Sequence, residues 1–171
     1  MTLYVYRHRG KLEILDPNPV DLAARWAPVL NSCIPPGKDK KYLVYTAFHY
    51  TRIFRNRDYG WFAIGAENIK ATMLCVPAHF RWPFMAARDI QFTYVMVNAG
   101  ERGKGWGAKL LQAGMSALAR PGRAFWYVTD EENIPSRKLA ERTGFEFAGT
   151  ALNRPGIMKR LAIVPKEDRA H

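Results

Sequence analysis

The spacing of apolar residues divides most of the chain beyond residue 58 into predicted strands and helices. Short runs rich in β-branched and aromatic residues predict strands at 59–65, 68–76, 89–97, 124–129, 145–152 and 157–164. Between them, apolar residues recur at helical spacing over 105–119 and 134–143, and Gly144 is placed to end the second predicted helix. Strands and helices that alternate in this way indicate a mixed α/β layer fold.

The first 58 residues carry a weaker pattern. Residues 2–8 alternate like a first strand, and 12–15 form a second short apolar stretch. Two segments then have helical spacing, one through Leu22, Trp26, Val29 and Leu30, which Pro28 would bend or shorten, and one over 40–55. The predicted order is β-α-α-β-β-β-α-β-α-β-β, with a hairpin turn at Ala66-Glu67 and no assignment for 80–84.

Composition narrows the class of protein. The chain has 171 residues, of which 48% are hydrophobic, so it is long enough for one domain with a sizeable core. Cys33 and Cys75 show no metal-binding spacing, and we expect buried thiols in a reducing cytosol and no metal site. The N-terminus lacks the apolar stretch of a signal peptide, and no run is long enough to span a bilayer, so a cytoplasmic location is expected.

The charge balance points to an anionic partner. Lys and Arg number 26 against 15 Asp and Glu, which gives a formal net charge of +11. A field of this sign attracts nucleotide cofactors, acidic carrier proteins, nucleic acid or anionic lipids. The alternative is a solvated basic surface that only aids solubility.

The most informative short segment is Arg102-Gly103-Lys104-Gly105-Trp106-Gly107, between a predicted strand and a predicted helix. Glycine allows positive φ and close approach of the backbone, and a helix N-terminus offers unpaired N–H groups and partial positive charge. These features favour a phosphate-binding loop. The spacing is neither the GxGxxG of dinucleotide-binding folds nor a P-loop. The alternative is a tight turn with no ligand.

This loop and a later segment together resemble one family. Residues 94–111, with Arg-x-x-Gly-x-Gly at Arg102, Gly105 and Gly107, resemble the acetyl-coenzyme A motif of the GNAT (Gcn5-related) N-acetyltransferases. Residues 133–149 are similar to the family's N-x-x-S-x-x-L-x-E-x-x-G-F-x-x-x-G run. The resemblance covers about 59–164. It implies a strongly twisted mixed sheet of about seven strands, flanked by about four helices and split between two central parallel strands.

The resemblance also implies a domain plan and a co-substrate. Residues 1–171 would be a single acyltransferase domain, with a variable acceptor-side part at 1–58 and an acyl-CoA-binding core at 59–164. Acetyl-CoA, or another acyl-CoA, would enter between strands 89–97 and 124–129. The implied binding residues are Met96, Val97, Arg102, Gly103, Lys104, Gly105, Trp106, Gly107, Ala108, Asn133 and Ser136. For Asn133 and Ser136 the alternative role is helix N-capping.

The catalytic groups are less defined. Many relatives have a Tyr acid just after the leucine of the second motif, where this chain has Ala140. Tyr94, Tyr127, Ser136 or a water could replace it, and a backbone N–H near Val97 could stabilise the oxyanion. Asp89 is the candidate base. The acceptor-side candidates are His49, Tyr50 and Gln91.

The implied function is transfer of acetyl from acetyl-CoA to an amine, by direct attack of the amine on the thioester. One alternative is a GNAT-like enzyme that modifies nucleic acid, either DNA in the manner of phage Mom-type proteins or charged tRNA. It draws on the net charge and on the faint Mom-like segment Phe48-His49-Tyr50-Thr51-Arg52. Another is a non-catalytic CoA-binding regulatory module. The expected oligomeric state is a monomer or homodimer.

Overall fold

One mixed sheet runs through the part of the chain that the computed structural model describes, which is residues 2–8, 22–25, 60–65, 69–78, 83–153 and 161–164. Its eight strands in these residues are β1 (Leu3–His8), β2 (Leu22–Arg25), β3 (Gly60–Ile64), β4 (Ala71–Pro77), β5 (Ile90–Val97), β6 (Phe125–Asp130), β7 (Glu146–Asn153) and β8 (Leu161–Val164). They lie in the order β2-β3-β4-β5-β6-β1-β7-β8. Among the described pairs, only β5 and β6 are parallel.

Two described helices cover one face of this sheet. A 3₁₀ turn (Ala99–Glu101) and helix α1 (Trp106–Leu118) follow β5, and helix α2 (Ile134–Arg142) follows β6. The main core lies between the helices and the sheet, where the buried faces of α1 and α2 meet Phe92, Phe125 and Tyr127. Side chains alternate along a strand, so Trp126 and Val5 belong to a second cluster on the opposite face.

The parallel pairing between β5 and β6 is short. It covers three rungs, Ile90 with Phe125, Gln91 with Trp126 and Phe92 with Tyr127, although β5 continues to Val97 and β6 to Asp130. On its other side β5 stays paired with β4 as far as Val97. The carboxyl ends of β5 and β6 therefore separate, and a gap opens between them beyond Phe92.

A buried carboxylate joins β5 and β6 at the opposite end. Asp89, which is 2% exposed, accepts hydrogen bonds from the amide of Ala86 (3.0 Å), the amide of Ala124 (3.0 Å) and Nε1 of Trp126 (2.8 Å). The amide of Ile90 adds a backbone bond to the carbonyl of Ala124 (3.1 Å). Three donors compensate the cost of burying this carboxylate, and the bonds fix the register at which the parallel ladder begins.

The structure confirms the predicted mixed α/β fold, the central position of the 124–129 strand and the separation of the two parallel strands. Gly144 follows α2 with a φ of +82°, as its predicted role at the helix end requires. None of the helices in the described residues is long and apolar enough to cross a bilayer. The short stretch 12–15, the helix over 40–55 and the turn at Ala66-Glu67 lie outside the described residues.

The helix prediction is wrong for residues 22–25. These residues form β2, which pairs antiparallel with β3 from Leu22 opposite Ile64 to Arg25 opposite Trp61. Four residues are too few for periodicity to separate a helix from a strand, and the hydrogen-bonding edge of β3 decides in favour of a strand. With β2 the described sheet has one strand more than expected.

The role of Asp89 in the register can be tested by replacing it. We expect Asp89→Ala to lower the free energy of unfolding by about 3 kcal/mol, because three buried N–H donors lose their acceptor. Urea denaturation measures this change. Asp130→Ala, at the exposed end of β6, is the control and should stay within about 0.5 kcal/mol of the wild type. Equal stability of the two variants would contradict the role assigned to Asp89.

Candidate active site

The gap begins at an irregularity in β5. Leu74 of β4 is opposite Thr93, but Thr72 is opposite Met96, so two residues of β5 face one residue of β4. Tyr94 lies in this bulge with a φ of +51°, a left-handed conformation that costs a non-glycine residue about 1 kcal/mol or more. A bulge bends and twists its strand. Its position directly after the last parallel rung accounts for the departure of β5 from β6.

Beyond the bulge, β5 leads into the glycine-rich loop at the mouth of the gap. Met96 and Val97 are half-buried at the end of β5, where the side facing β6 has no strand partner. Gly103 and Gly105 both have a φ of +79°, and nothing lies within 4 Å of the position a Cβ would occupy at either residue. The sequence prediction that this loop needs glycine is explained at these two positions.

The loop presents a row of backbone donors. The amide of Lys109 bonds to the carbonyl of Gly105 (3.1 Å) and begins the regular bonding of α1. Within the described part of the chain, no hydrogen bond is made by the amides of residues 103–108. Gly105 precedes α1 without a side-chain cap, so these amides and the positive end of α1 are available to an anion.

Cations surround these donors. Glu101 accepts hydrogen bonds from Nε1 of Trp106 (2.8 Å) and Nζ of Lys104 (3.1 Å), and both bonds lower the pKa of its carboxyl. Nζ of Lys70 lies 4.3 Å from the Trp106 ring centroid, and Nζ of Lys109 lies 4.6 Å from it. Cation–π contact holds these lysines beside the loop, and exposed Arg102 adds a further cation.

Gly107 lets the start of α1 pack closely against its neighbours. A Cβ there would meet Leu139 of α2 at 3.3 Å and Val97 of β5 at 3.7 Å. The third glycine of the loop therefore serves close packing, whereas the other two serve positive φ. Ala108 is half-buried in the same first turn.

Helix α2 begins at the end of β6 and places a second group of candidates. Asn133 is its N-cap, with Oδ1 accepting a hydrogen bond from the amide of Ser136 (3.2 Å). This bond favours the capping alternative for Asn133 over cofactor binding. The Ser136 side chain is instead in hydrogen-bonding reach of the Tyr127 hydroxyl, and Ala140 is completely buried in the core.

Three predicted residues occupy distinct places. Asp89 lies at the closed end of the β5–β6 ladder with its oxygens engaged, which favours a structural role over that of a base. Gln91 lies on the sheet face opposite the helices; it is 3% exposed, and its Oε1 has no hydrogen-bond partner. Tyr94 is half-buried in the bulge. His49 and Tyr50, with the basic segments near them, lie outside the described residues.

The described residues contain no group of three or more His, Cys, Asp or Glu side chains that could hold a metal ion. Sequence reasoning missed Lys70 and Lys109 as members of the cation cluster. Lys70 reaches the loop only because Ala71 pairs with Val97 across β4 and β5. Lys109 falls one turn into α1, at a spacing that would have placed it on the same side as Trp106.

Comparison with known proteins agrees with this geometry. The family model described as "Acetyltransferase (GNAT) family" matches residues 25–145, which is more than half of the chain. The chain belongs to the GNAT acetyltransferase family. The separated strands and the loop between β5 and α1 are thus parts of a GNAT fold. No curated protein matches the sequence.

Solved structures support the fold. A putative GNAT acetyltransferase from Novosphingobium aromaticivorans has a TM-score of 0.57 at 15% identity, over 87% of this chain and 60% of that protein. A GNAT acetyltransferase from Colwellia psychrerythraea has a TM-score of 0.58 at 17% identity, over 86% and 53%. A functionally unknown conserved protein from Staphylococcus epidermidis has 0.56 at 16%, over 87% and 58%. The chain therefore corresponds to about half to three-fifths of these neighbours.

The glycine requirement in the loop can be measured. We expect Gly105→Ala to destabilise the protein by about 1–2 kcal/mol, because a Cβ is strained at a φ of +79° even where space is open. Gly100→Ala is the matched control, since that position is equally open and has no positive φ, and it should change stability by less than about 0.5 kcal/mol. Thermal denaturation compares the two, and a neutral Gly105→Ala would refute the strain argument.

Proposed function

We propose that this protein is an acyl-CoA-dependent N-acyltransferase that transfers acetyl from acetyl-CoA to an amine. The observation that carries the proposal is the gap between β5 and β6, with unpaired amides at its mouth. The family supports acyl transfer in general. The finer assignment, to acetyl-CoA and an amine, depends on how well the site suits the two substrates.

The mouth of the gap suits the diphosphate of a CoA thioester. Amides of residues 103–108 would donate to phosphate oxygens, and the positive end of α1 would favour the negative charge. Arg102 and Lys104 would add charge, as a planar fork and as a point charge. Lys70 and Lys109, held at the Trp106 ring, extend the same field.

The gap itself suits the amide-rich arm that links the diphosphate to the thioester. The edge of β5 at Met96 and Val97 has no strand partner on the β6 side, so an extended chain of amides could hydrogen-bond there as an added strand does. This arrangement would direct the thioester toward Phe92 and Tyr127, where the parallel ladder begins.

Gln91 is the described residue best placed to meet the acceptor. It lies one rung inside the closed end of the gap, on the face opposite the helices. Its buried Oε1 lacks a hydrogen-bond donor, and an unpaired buried acceptor is costly. An acceptor amine would supply the missing donor. An amide is not a base at neutral pH, so we assign Gln91 to orientation of the amine and not to its deprotonation.

Acetyl-CoA binding tests the diphosphate site. We expect acetyl-CoA at about 1 mM to raise the melting temperature of the wild type, because a ligand of the native state stabilises it. Gly105→Glu should abolish this shift, since it places a negative charge among the phosphate donors. Gly105→Gln is the matched control. It has the same size and backbone strain without the charge, and should retain part of the shift.

Two outcomes would count against the proposal. An unchanged melting temperature in the wild type would remove acetyl-CoA as substrate, and identical behaviour of the Glu and Gln variants would remove the phosphate contact at Gly105. Release of free CoA thiol with a panel of amines then distinguishes an enzyme from a binding module. Thiol release above the rate without protein supports the enzyme, and binding without release across the panel supports the module.

A further inference from the structure

We propose that the hydroxyls of Tyr127 and Ser136 form a proton-donating pair for the sulfur of the acyl donor, at the closed end of the β5–β6 gap. This inference rests on the proposed function, because it requires a thioester in the gap. It names the acid that this chain would use where many relatives have a tyrosine and this chain has Ala140.

Tyr127 lies where the two parallel strands separate. It is the last residue of β6 that pairs with β5, opposite Phe92. Its ring is on the helix side of the sheet, with its centroid 6.0 Å from that of Phe145, and the residue is 4% exposed. Burial raises the pKa of its hydroxyl, which therefore keeps its proton throughout the neutral range.

Ser136 connects this hydroxyl with the gap. It lies in the first turn of α2, directly after the end of β6, and is half-buried. Asn133 already caps its amide, so the Ser136 hydroxyl is not used as the helix cap. It is instead in hydrogen-bonding reach of Tyr127. A buried phenol and a less buried hydroxyl are thus arranged in sequence.

The neighbouring tyrosine is engaged in another contact. Tyr6 of β1 is opposite Tyr127 on the side away from β5, and its hydroxyl donates to Oε1 of Glu141 at 3.2 Å. Arg137 also faces Tyr6 and lies over the ring of Tyr4. These residues of β1 and α2 are the charged and titratable groups beside the pair in the described structure. Tyr6 belongs to the attachment of α2 to β1.

The proton balance is simple. As the amine nitrogen forms its bond to the carbonyl carbon, the bond from that carbon to sulfur breaks and the sulfur takes the electron pair. Ser136 gives its proton to the sulfur and takes the proton of Tyr127. Solvent returns a proton to Tyr127 and accepts the one that the amine nitrogen loses. The products are an amide and the free thiol of CoA.

A binding experiment tests the pair without a known acceptor. A hydroxyl that donates to the sulfur stabilises bound thiolate, so the thiol of bound CoA should ionise at lower pH than that of free CoA. Acetyl-CoA has no ionisable thiol but otherwise the same charges. The ratio of the two dissociation constants, Kd for acetyl-CoA over Kd for CoA, therefore isolates the sulfur. Calorimetry between about pH 7 and pH 10 measures this ratio.

For the wild type we expect the ratio to rise about tenfold over this range, which corresponds to one pKa unit. Tyr127→Phe and Ser136→Ala should reduce the rise to less than about twofold, while Kd for acetyl-CoA at pH 7 stays near that of the wild type. Tyr6→Phe is the matched control, because it removes an equally buried hydroxyl on the same face and should keep the full rise.

The outcomes separate the two proposals. If neither CoA nor acetyl-CoA binds to the wild type, the proposed function fails and the pair fails with it. If both bind but the rise is absent in the wild type, or is unchanged in Ser136→Ala, the proton-donating pair is overturned while the function stands. Ser136→Ala decides the test if Tyr127→Phe does not fold, since it removes only one half-buried oxygen.

Discussion

The three-rung parallel ladder between β5 and β6 is the constraint on which the rest of the site depends. At one end, the carboxylate of Asp89 takes hydrogen bonds from the backbone before both strands and from the Trp126 indole, which holds the strands in register. At the other end, the bulge at Tyr94 turns β5 away while its pairing with β4 continues. A junction fixed at one end and opened at the other produces a gap of defined position.

The same junction determines where charge and hydroxyl groups lie. Because β5 ends beside the start of β4, Lys70 reaches the ring of Trp106 and joins the cations of the glycine-rich loop. Because α2 starts where β6 ends, Ser136 comes to the buried hydroxyl of Tyr127. Anion-binding groups are thus at the mouth of the gap and neutral hydroxyls at its closed end. This separation matches the charge distribution of a CoA thioester, with phosphates at one end and sulfur at the other.

Glycine has two different roles in this arrangement. Gly103 and Gly105 provide positive φ on an open surface, which lets consecutive amides face outward, whereas Gly107 is buried and lets α1 approach Leu139 and Val97. Gly114 extends that close approach one face further along α1, where a Cβ would lie 2.1 Å from Cε of Met73. The helix is therefore held tightly against β4 and β5, and the donors at its N-terminus keep a fixed position relative to the gap.

The sequence by itself determined the elements with strong local signals. Long periodic segments such as 105–119, and the glycines at 103, 105 and 144, predicted α1, the loop and the end of α2, because these features depend on residues close together in the chain. Only the tertiary structure decided that 22–25 is an edge strand, that Asp89 ties β6 to β5, and that Lys70 and Tyr127 belong to the site. Each of these depends on contacts between residues far apart in sequence, and spacing along the chain carries no record of which distant edge supplies a hydrogen bond.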